Sequence, residues 1–313
     1  MIFDEVILDD LYEEMNKEYL KELRLGDLET IHKDVELRVL SLGAGVQSSA
    51  VLFKMLDQEI KPADIAIFAD TGNEPKEVYV WLDYLKDLMK DKIDFYVVRN
   101  EENTGHIIDD YKSASGRHSL IPLHIKRADG TTSINMRTCT AEYKIKPLQR
   151  KVKEILGGSL RGRCVEMVMG ISYDEIQRAK TPSNKWQINC YPLVENKITR
   201  SDCKHWISHT DYGQPPRSAC IICPYHDNKE WKNLKDNYPD EFEYAVKFDE
   251  WLRDPNSNSA ALQKFRDYNE KKQTPSEQYV YKGKVPLKEA TFDEPSDYQG
   301  SLFDDECEGM CGI

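Results

Sequence analysis

The 313-residue sequence has no apolar run long enough to span a bilayer, so a helical integral membrane protein is not expected. Positive charge is scarce as well: 43 Lys and Arg face 55 Asp and Glu, for a formal net charge of −12. A general nucleic-acid binder carries the opposite balance, so nucleic acid is not indicated as a partner by charge. Local clusters still admit anionic ligands such as nucleotides: Lys144, Lys146, Arg150, Lys151 and Lys153, then Arg161 and Arg163. Such clusters are otherwise solvated helix faces. The first residues lack the basic start and small-residue cleavage site of a secretory signal, and a soluble cytoplasmic protein is expected. Two phosphate-binding signatures are missing too. No Lys follows the glycines of the one glycine-rich turn, which rules out a Walker loop, and GxGxxG is absent. With 8 cysteines in a chain of this size, close spacings point to metal, cluster or redox chemistry rather than a disulfide scaffold.

What is there is organised around residues 37–55, LRVLSLGAGVQSSAVLFKM. The short apolar run from Leu37 to Leu42 reads as a buried strand. Gly43-Ala44-Gly45 reads as a turn, and the residues from Val46 carry apolar side chains at helical spacing. Glycines allow a ligand to approach the backbone, and the unpaired N–H groups of a helix start make a seat for phosphate. Gln47, Ser48 and Ser49 lie on that helix start, where the two hydroxyls add donors; an ordinary strand–helix turn is the plainer alternative. A second strand over 63–68 ends in Asp70-Thr71-Gly72, and Asn73 and Pro75 start a helix over 74–88. A third strand follows at 93–98. Strands alternating with helices imply a parallel sheet with ligands beyond its carboxyl ends, where the loops 43–49 and 70–74 would share a crevice. Asp70 and Glu74 would there bind ribose hydroxyls or Mg²⁺, or else cap the helix.

Further along, 100–136 reads as irregular, with a hairpin at 128–130 that could form a lid. A helix follows Cys139, a strand covers 164–171, and Thr199 to Asp202 is a capping box. One helix is expected over 228–253. The organisation expected is an N-terminal helical segment (1–35) with Leu8, Leu11, Met15, Tyr19 and Leu23 on one face, and a nucleotide-binding domain (36–200). A helical cysteine-bearing region (201–270) and a flexible acidic tail (271–313) complete it. Cys220-x-x-Cys223 puts two thiolates on one turn, and Cys139, Cys203, Cys190 and His226 are candidates to complete a metal site. Cys307 and Cys311, in the tail, could swing into a site as a nucleophile and its resolving thiol.

Taken together these segments resemble the PP-loop superfamily, and within it the phosphoadenosine phosphosulfate (PAPS) reductase-like group. Gly43-Ala44-Gly45-Val46-Gln47-Ser48 is similar to the SGGxDS pyrophosphate loop, with Gln47 where the acidic residue stands, and Asp70-Thr71-Gly72 is similar to the second nucleotide motif. Residues 137–148, RTCTAEYKIKPL, resemble RCCxxRKxxPL, and 170–178, GISYDEIQR, resemble the GIR…R strand end. Residues 191–202 resemble PLxxW…TxxDV, Cys220 and Cys223 match the second cysteine pair, and Glu306-Cys307 resembles the closing EC motif.

The resemblance implies a doubly wound, mostly parallel α/β sheet in a three-layer α/β/α arrangement with a cysteine-bearing C-terminal region. It implies an adenine nucleotide, ATP or a sulfonucleotide, bound by Ser41, Gly43, Ala44, Gly45, Gln47, Ser48, Ser49, Asp70, Thr71, Gly72 and Gly170. A [4Fe–4S] cluster on Cys139, Cys203, Cys220 and Cys223 is implied, with Zn²⁺ as the alternative and Mg²⁺ as a further ion. Lys144, Arg178, Cys307 and Cys311 are the implied catalytic residues. The expected chemistry is sulfonucleotide reduction with an AMP-type product. The alternatives are ATP-dependent adenylation and thiolation of a nucleic acid or small molecule, and a zinc-stabilised interaction module without catalysis. A thiol or protein sulfur or electron donor is the implied partner, and a homo-oligomer is left open by the sequence.

Overall fold

The computed structural model describes residues 35–102, 104–113 and 121–292. The expected N-terminal helical segment, and the tail cysteines Cys307 and Cys311, lie outside the described residues. The first strand, β1 (Leu37–Ser41), is buried at all five positions. Helix α1 (Val46–Leu56), strand β2 (Ile65–Ala69), helix α2 (Lys76–Met89) and strand β3 (Asp94–Val98) follow. Next come a short helix α3 (Ile107–Lys112) and an antiparallel hairpin of β4 (His124–Arg127) and β5 (Thr132–Ile134). Gly130 turns that hairpin at φ +83°, as the Ala128-Asp129-Gly130 stretch leads one to expect.

A turn of π-helix (Thr140–Ile145) runs into α4 (Lys146–Ile155). The chain then crosses to β6 (Val165–Met169), a 3₁₀ segment (Tyr173–Arg178), β7 (Gln187–Cys190), α5 (Pro192–Glu195) and α6 (Arg200–Ser208). The capping box of α6 is formed as expected, Thr199 and Asp202 each accepting from the other's backbone. The helix expected over 228–253 is two, α7 (Asn228–Asn237) and α8 (Pro239–Arg253). Pro239 has no N–H to continue α7, so it starts the next helix instead. Helix α9 (Ala260–Lys272), strand β8 (Ser276–Tyr279) and a 3₁₀ turn (Leu287–Glu289) close the described chain.

Five parallel strands form the main sheet in the order β3-β2-β1-β6-β7. Alternation along the strands supplies both faces. Leu40, Ala66 and Val168 pack with Val51 and Leu52 of α1, Met89 of α2 and Ile207 of α6. Val39, Ile67 and Met167 pack on the other face with Leu148 and Val152 of α4. The fold is therefore three layers, α/β/α, with the change of winding direction between β1 and β6. Within the sheet Arg38 and Glu166, register partners on β1 and β6, form a buried ion pair.

A second core joins α3, α7, α8 and α9 to a three-stranded sheet, β5-β4-β8, around Trp231, Phe248 and Val280. Two expected boundaries change. Helix α6, placed by the sequence reading in the cysteine-bearing region, belongs to the first core through Cys203 and Ile207. The segment after Lys271, read as tail because it is polar, pairs through β8 with β4 and buries Val280, Tyr281, Leu287 and Phe292. Its apolar residues are few, but Val280, Tyr281, Leu287, Ala290 and Phe292 enter the second core. No described helix is long and apolar enough to cross a membrane.

Candidate functional site

Three loops meet at the carboxyl ends of β1, β2 and β6. The first, after β1, is buried from Leu42 through Gly45, with Ala44 in the left-handed region at φ +60°. A side chain there costs roughly 1–2 kcal/mol. A left-handed residue ahead of a helix start is also the backbone form of many anion-binding concavities. Gly45 is the N-cap of α1 and no side chain caps that helix, so its first N–H groups have no side-chain acceptor. The hydroxyl of Ser41 is buried with no hydrogen-bond partner. An orphaned donor at the root of the turn suits an oxygen-rich ligand. Ser48 Oγ donates back to Gly45 O at 3.3 Å, and Ser49 Oγ accepts from Trp81 Nε1 at 3.2 Å, which turns Ser49 toward α2.

The second loop follows β6. A Cβ on Gly170 would lie 2.6 Å from both Cα and N of Ser48, so only glycine lets β6 reach the start of α1. Beyond it, Gln47 Nε2 donates to Ser172 Oγ (3.3 Å) and to Glu175 Oε2 (3.1 Å). The same Glu175 oxygen accepts from Arg178 Nη1 at 2.6 Å. This brings Arg178 to the start of α1.

The third loop, residues 70–74, is the most heavily bonded. Asp70 accepts from Arg99 Nε (2.8 Å) and Nη2 (2.5 Å), from Tyr79 OH (2.9 Å) and from Gly72 N (2.7 Å). Its carboxylate is thus occupied in holding the loop's shape. Gly72 has φ +72° and packs against Gly105 and His106, which fixes the loop beside the start of α3. Glu74 is 3% exposed, and its Oε2 has no hydrogen-bond partner. Its Oε1 accepts from Thr71 Oγ1 at 3.1 Å and Cys220 Sγ at 3.9 Å. Burial raises its pKa first of all, the nearby Lys144 ammonium partly opposing and Asp70 reinforcing.

The cysteine turn docks on this third loop. Ile221 N donates to Asn73 O at 2.8 Å, Ile222 N to Asn73 Oδ1 at 3.3 Å, and Thr71 Oγ1 lies 3.2 Å from Cys220 Sγ. Cys223 N bonds to Cys220 O at 2.9 Å, closing the turn. One pocket is lined by Cys139, Cys220 and Cys223 together with Thr71, Arg137, Lys144 and Tyr225. Cys139 and Lys144 reach it because the π-helix begins there; π turns recur at functional sites. Arg137 stacks over the Tyr225 ring at 5.4 Å. His226 lies behind the turn, its Nε2 2.9 Å from Cys220 O. A carbonyl only accepts, so Nε2 carries the proton. Burial and the Arg217 charge push this histidine down to about 4, which keeps it neutral.

Several expected site residues stand elsewhere. Cys203 is fully buried in the first core under α1, and burial pushes its thiol up to about 12; Cys190 is in the same cluster, also pushed to about 12. Their apolar surroundings explain both placements. Lys146 points outward and pairs with Glu142 at 2.6 Å, while Arg150 pairs with Glu102 and Lys151 with Glu154. That basic cluster is a solvated helix face, with Lys144 as the exception. Among the described residues no three His, Cys, Asp or Glu side chains are gathered as a metal would need. Cys139, Cys220 and Cys223 thus line one pocket, and no fourth described ligand is gathered with them. Arg137, Tyr225 and Glu175 were not singled out from the sequence. Arg137 and Glu175 sit inside motifs quoted above, and Tyr225 follows the cysteine pair by two residues.

No protein-family model matches the sequence, and no curated protein matches it. Among solved structures, the PAPS reductase of Candida auris in a phosphate complex is similar with a TM-score of 0.38 and 16% identity, over 66% of this chain and 87% of that chain. The U34-tRNA thiolase NcsA of Methanococcus maripaludis, with its [4Fe-4S] cluster, has a TM-score of 0.36 and 15% identity over 76% and 81%.

Proposed function

We propose that the chain is a PP-loop enzyme of sulfur chemistry acting on an adenine nucleotide, and that it reduces a sulfonucleotide to sulfite and an AMP-type product. The observation that supports this reading is the docking of the Cys220 turn on the loop after β2, which sets thiols against one of the three loops at the carboxyl ends of the sheet strands. Backbone N–H groups of residues 43–49 and the Ser41 hydroxyl would hold the phosphates. Lys144 and Arg178 would offset the charge that develops on the leaving phosphate.

In the reaction a thiolate, assigned to Cys307, attacks the sulfur of the sulfonucleotide. The new S–S bond leaves the sulfonate on the cysteine, and the nucleotide departs with the electron pair of the broken S–O bond. Cys311 then attacks the cysteine sulfur, forming a disulfide and releasing sulfite. A thiol or protein electron donor returns both cysteines to thiols. No step is assigned to a metal.

Isothermal calorimetry with AMP, ATP and adenosine 5′-phosphosulfate tests the binding, and sulfite release with a thiol donor tests the chemistry. Association with a nucleotide and sulfite formation are expected. Pyrophosphate release from ATP, without sulfite, would make the chain an adenylating sulfurtransferase instead. Stoichiometric zinc with no nucleotide association would leave only an interaction module.

A further inference from the structure

A polar unit crosses the seam between the start of α1 and the segment after β6, and its middle member has no task in the chemistry above. Glu175 is the one residue of the 3₁₀ segment with non-helical backbone angles, φ −115° and ψ 22°. At this kink its Oε2 accepts from both Gln47 Nε2 and Arg178 Nη1, at 3.1 and 2.6 Å. The Glu175 and Arg178 side chains are only 12% and 10% exposed.

A half-hidden carboxylate beside a phosphate seat is unfavourable by itself, because it repels the ligand. Two neighbours make it tenable. Arg178 offsets its charge, and the Gln47 amide donates to it where an acidic side chain at position 47 would repel it. The amide and the carboxylate are therefore matched to each other. A guanidinium held by a carboxylate also keeps its planar fork in one orientation, which a lone arginine at a loop mouth does not.

We propose that Glu175 is a positioning residue of the nucleotide site: anchored by Gln47, it holds the Arg178 guanidinium at the phosphate loop, so that Gln47, Glu175 and Arg178 read phosphate as a unit. The proposal rests on the reading of residues 43–49 as a phosphate seat. It makes a prediction opposite in sign to charge arithmetic. Neutralising an acid next to an anion site should strengthen anion binding; a positioning role requires that it weaken it.

The experiment is calorimetric titration of the full-length chain with AMP and with inorganic pyrophosphate, for the wild type, Arg178→Gln, Glu175→Gln and the double variant. Arg178→Gln is expected to weaken binding roughly tenfold, the worth of one charge-assisted hydrogen bond. Glu175→Gln is expected to weaken it by a similar factor when Arg178 is present, and to leave it equal or tighter when Arg178 is already Gln. A residue that merely supported the fold would weaken binding in both backgrounds, and that result overturns the proposal. So does tighter binding by the Glu175→Gln single variant. If Glu175→Gln fails to fold by circular dichroism, Gln47→Ala in the same two backgrounds tests the same coupling: weaker binding is expected with Arg178 present and none of that loss with Arg178 already Gln, and an equal loss in both backgrounds overturns the proposal. A wild type that binds neither probe overturns the phosphate seat itself, whereas wild-type binding with no sensitivity to Arg178 overturns only the positioning role.

Discussion

His226 shows how a single side chain couples the thiol turn to pH. Its folded-state pKa of about 4 lies below the ordinary value of 6.5. Between those two values the unfolded chain takes up a proton that the folded chain refuses, so stability rises with pH across the window and is lost as pH falls from 6.5 toward 4. At pH 5 the loss is on the order of 2 kcal/mol. In His226→Gln the amide keeps a donor for Cys220 O and no longer titrates. Urea unfolding at pH 7 and pH 5 should then show a smaller drop for the variant than for the wild type; equal drops would mean that His226 is not held neutral. Glu74 is the acidic counterpart, a carboxyl that burial drives toward its protonated form beside Cys220. Neither residue advertises this in the sequence. A histidine and a glutamate in loops look solvated until the second core covers them.

Among the elements, β6 carries two constraints in one strand. Glu166, fully buried, faces Arg38 across the β1–β6 register. Removing Arg38 alone leaves a carboxylate in the sheet interior, and Arg38→Met is expected to destabilise the chain by about 3–5 kcal/mol. Adding Glu166→Leu should recover most of that loss, since an apolar pair needs no counterion. Chemical denaturation of the two singles and the double measures the coupling, and additive losses would show that the pair is not what matters. At its carboxyl end the same strand leads into Gly170. Gly170→Ala would push a methyl against Ser48 and drive the two loops apart. Weaker AMP association together with a lower unfolding midpoint is expected, and unchanged calorimetry would detach Gly170 from the nucleotide crevice.

At the scale of the whole molecule, β1, β2, β3 and β6 were legible as short apolar runs separated by turn residues, and their parallel pairing follows from the intervening helices; β7, with the mixed sequence Gln187–Cys190, gave no such run. The turn after β1 was legible for the same reason, as a strand that breaks into glycine and re-forms as a helix. What was hidden is long-range. The second core is assembled from segments far apart, α3, the β4–β5 hairpin, α7 to α9 and β8, and no local pattern says that a polar stretch near Ser276 will complete a sheet begun near His124. Cys203 was misread for a related reason, since a cysteine next to a capping box carries no mark of which core it will enter. Truncation separates these parts. A chain ending at residue 275 loses β8 and should lose the second core, seen as aromatic near-ultraviolet dichroism collapsing. A chain ending at residue 292 keeps every described element but lacks Cys307 and Cys311; it should bind AMP like the full chain yet release no sulfite. Sulfite release by that shorter chain would remove the tail thiols from the reaction.

Asn73 gives the protein a built-in clock. Through its main-chain and side-chain oxygens it takes the amide protons of Ile221 and Ile222, and those two amides can trade with deuterium only when the halves of the molecule part company. The slower of their exchange rates therefore times how often the loop after β2 and the cysteine turn part, and the nucleotide proposed above, if it bridges the two, should lengthen the interval.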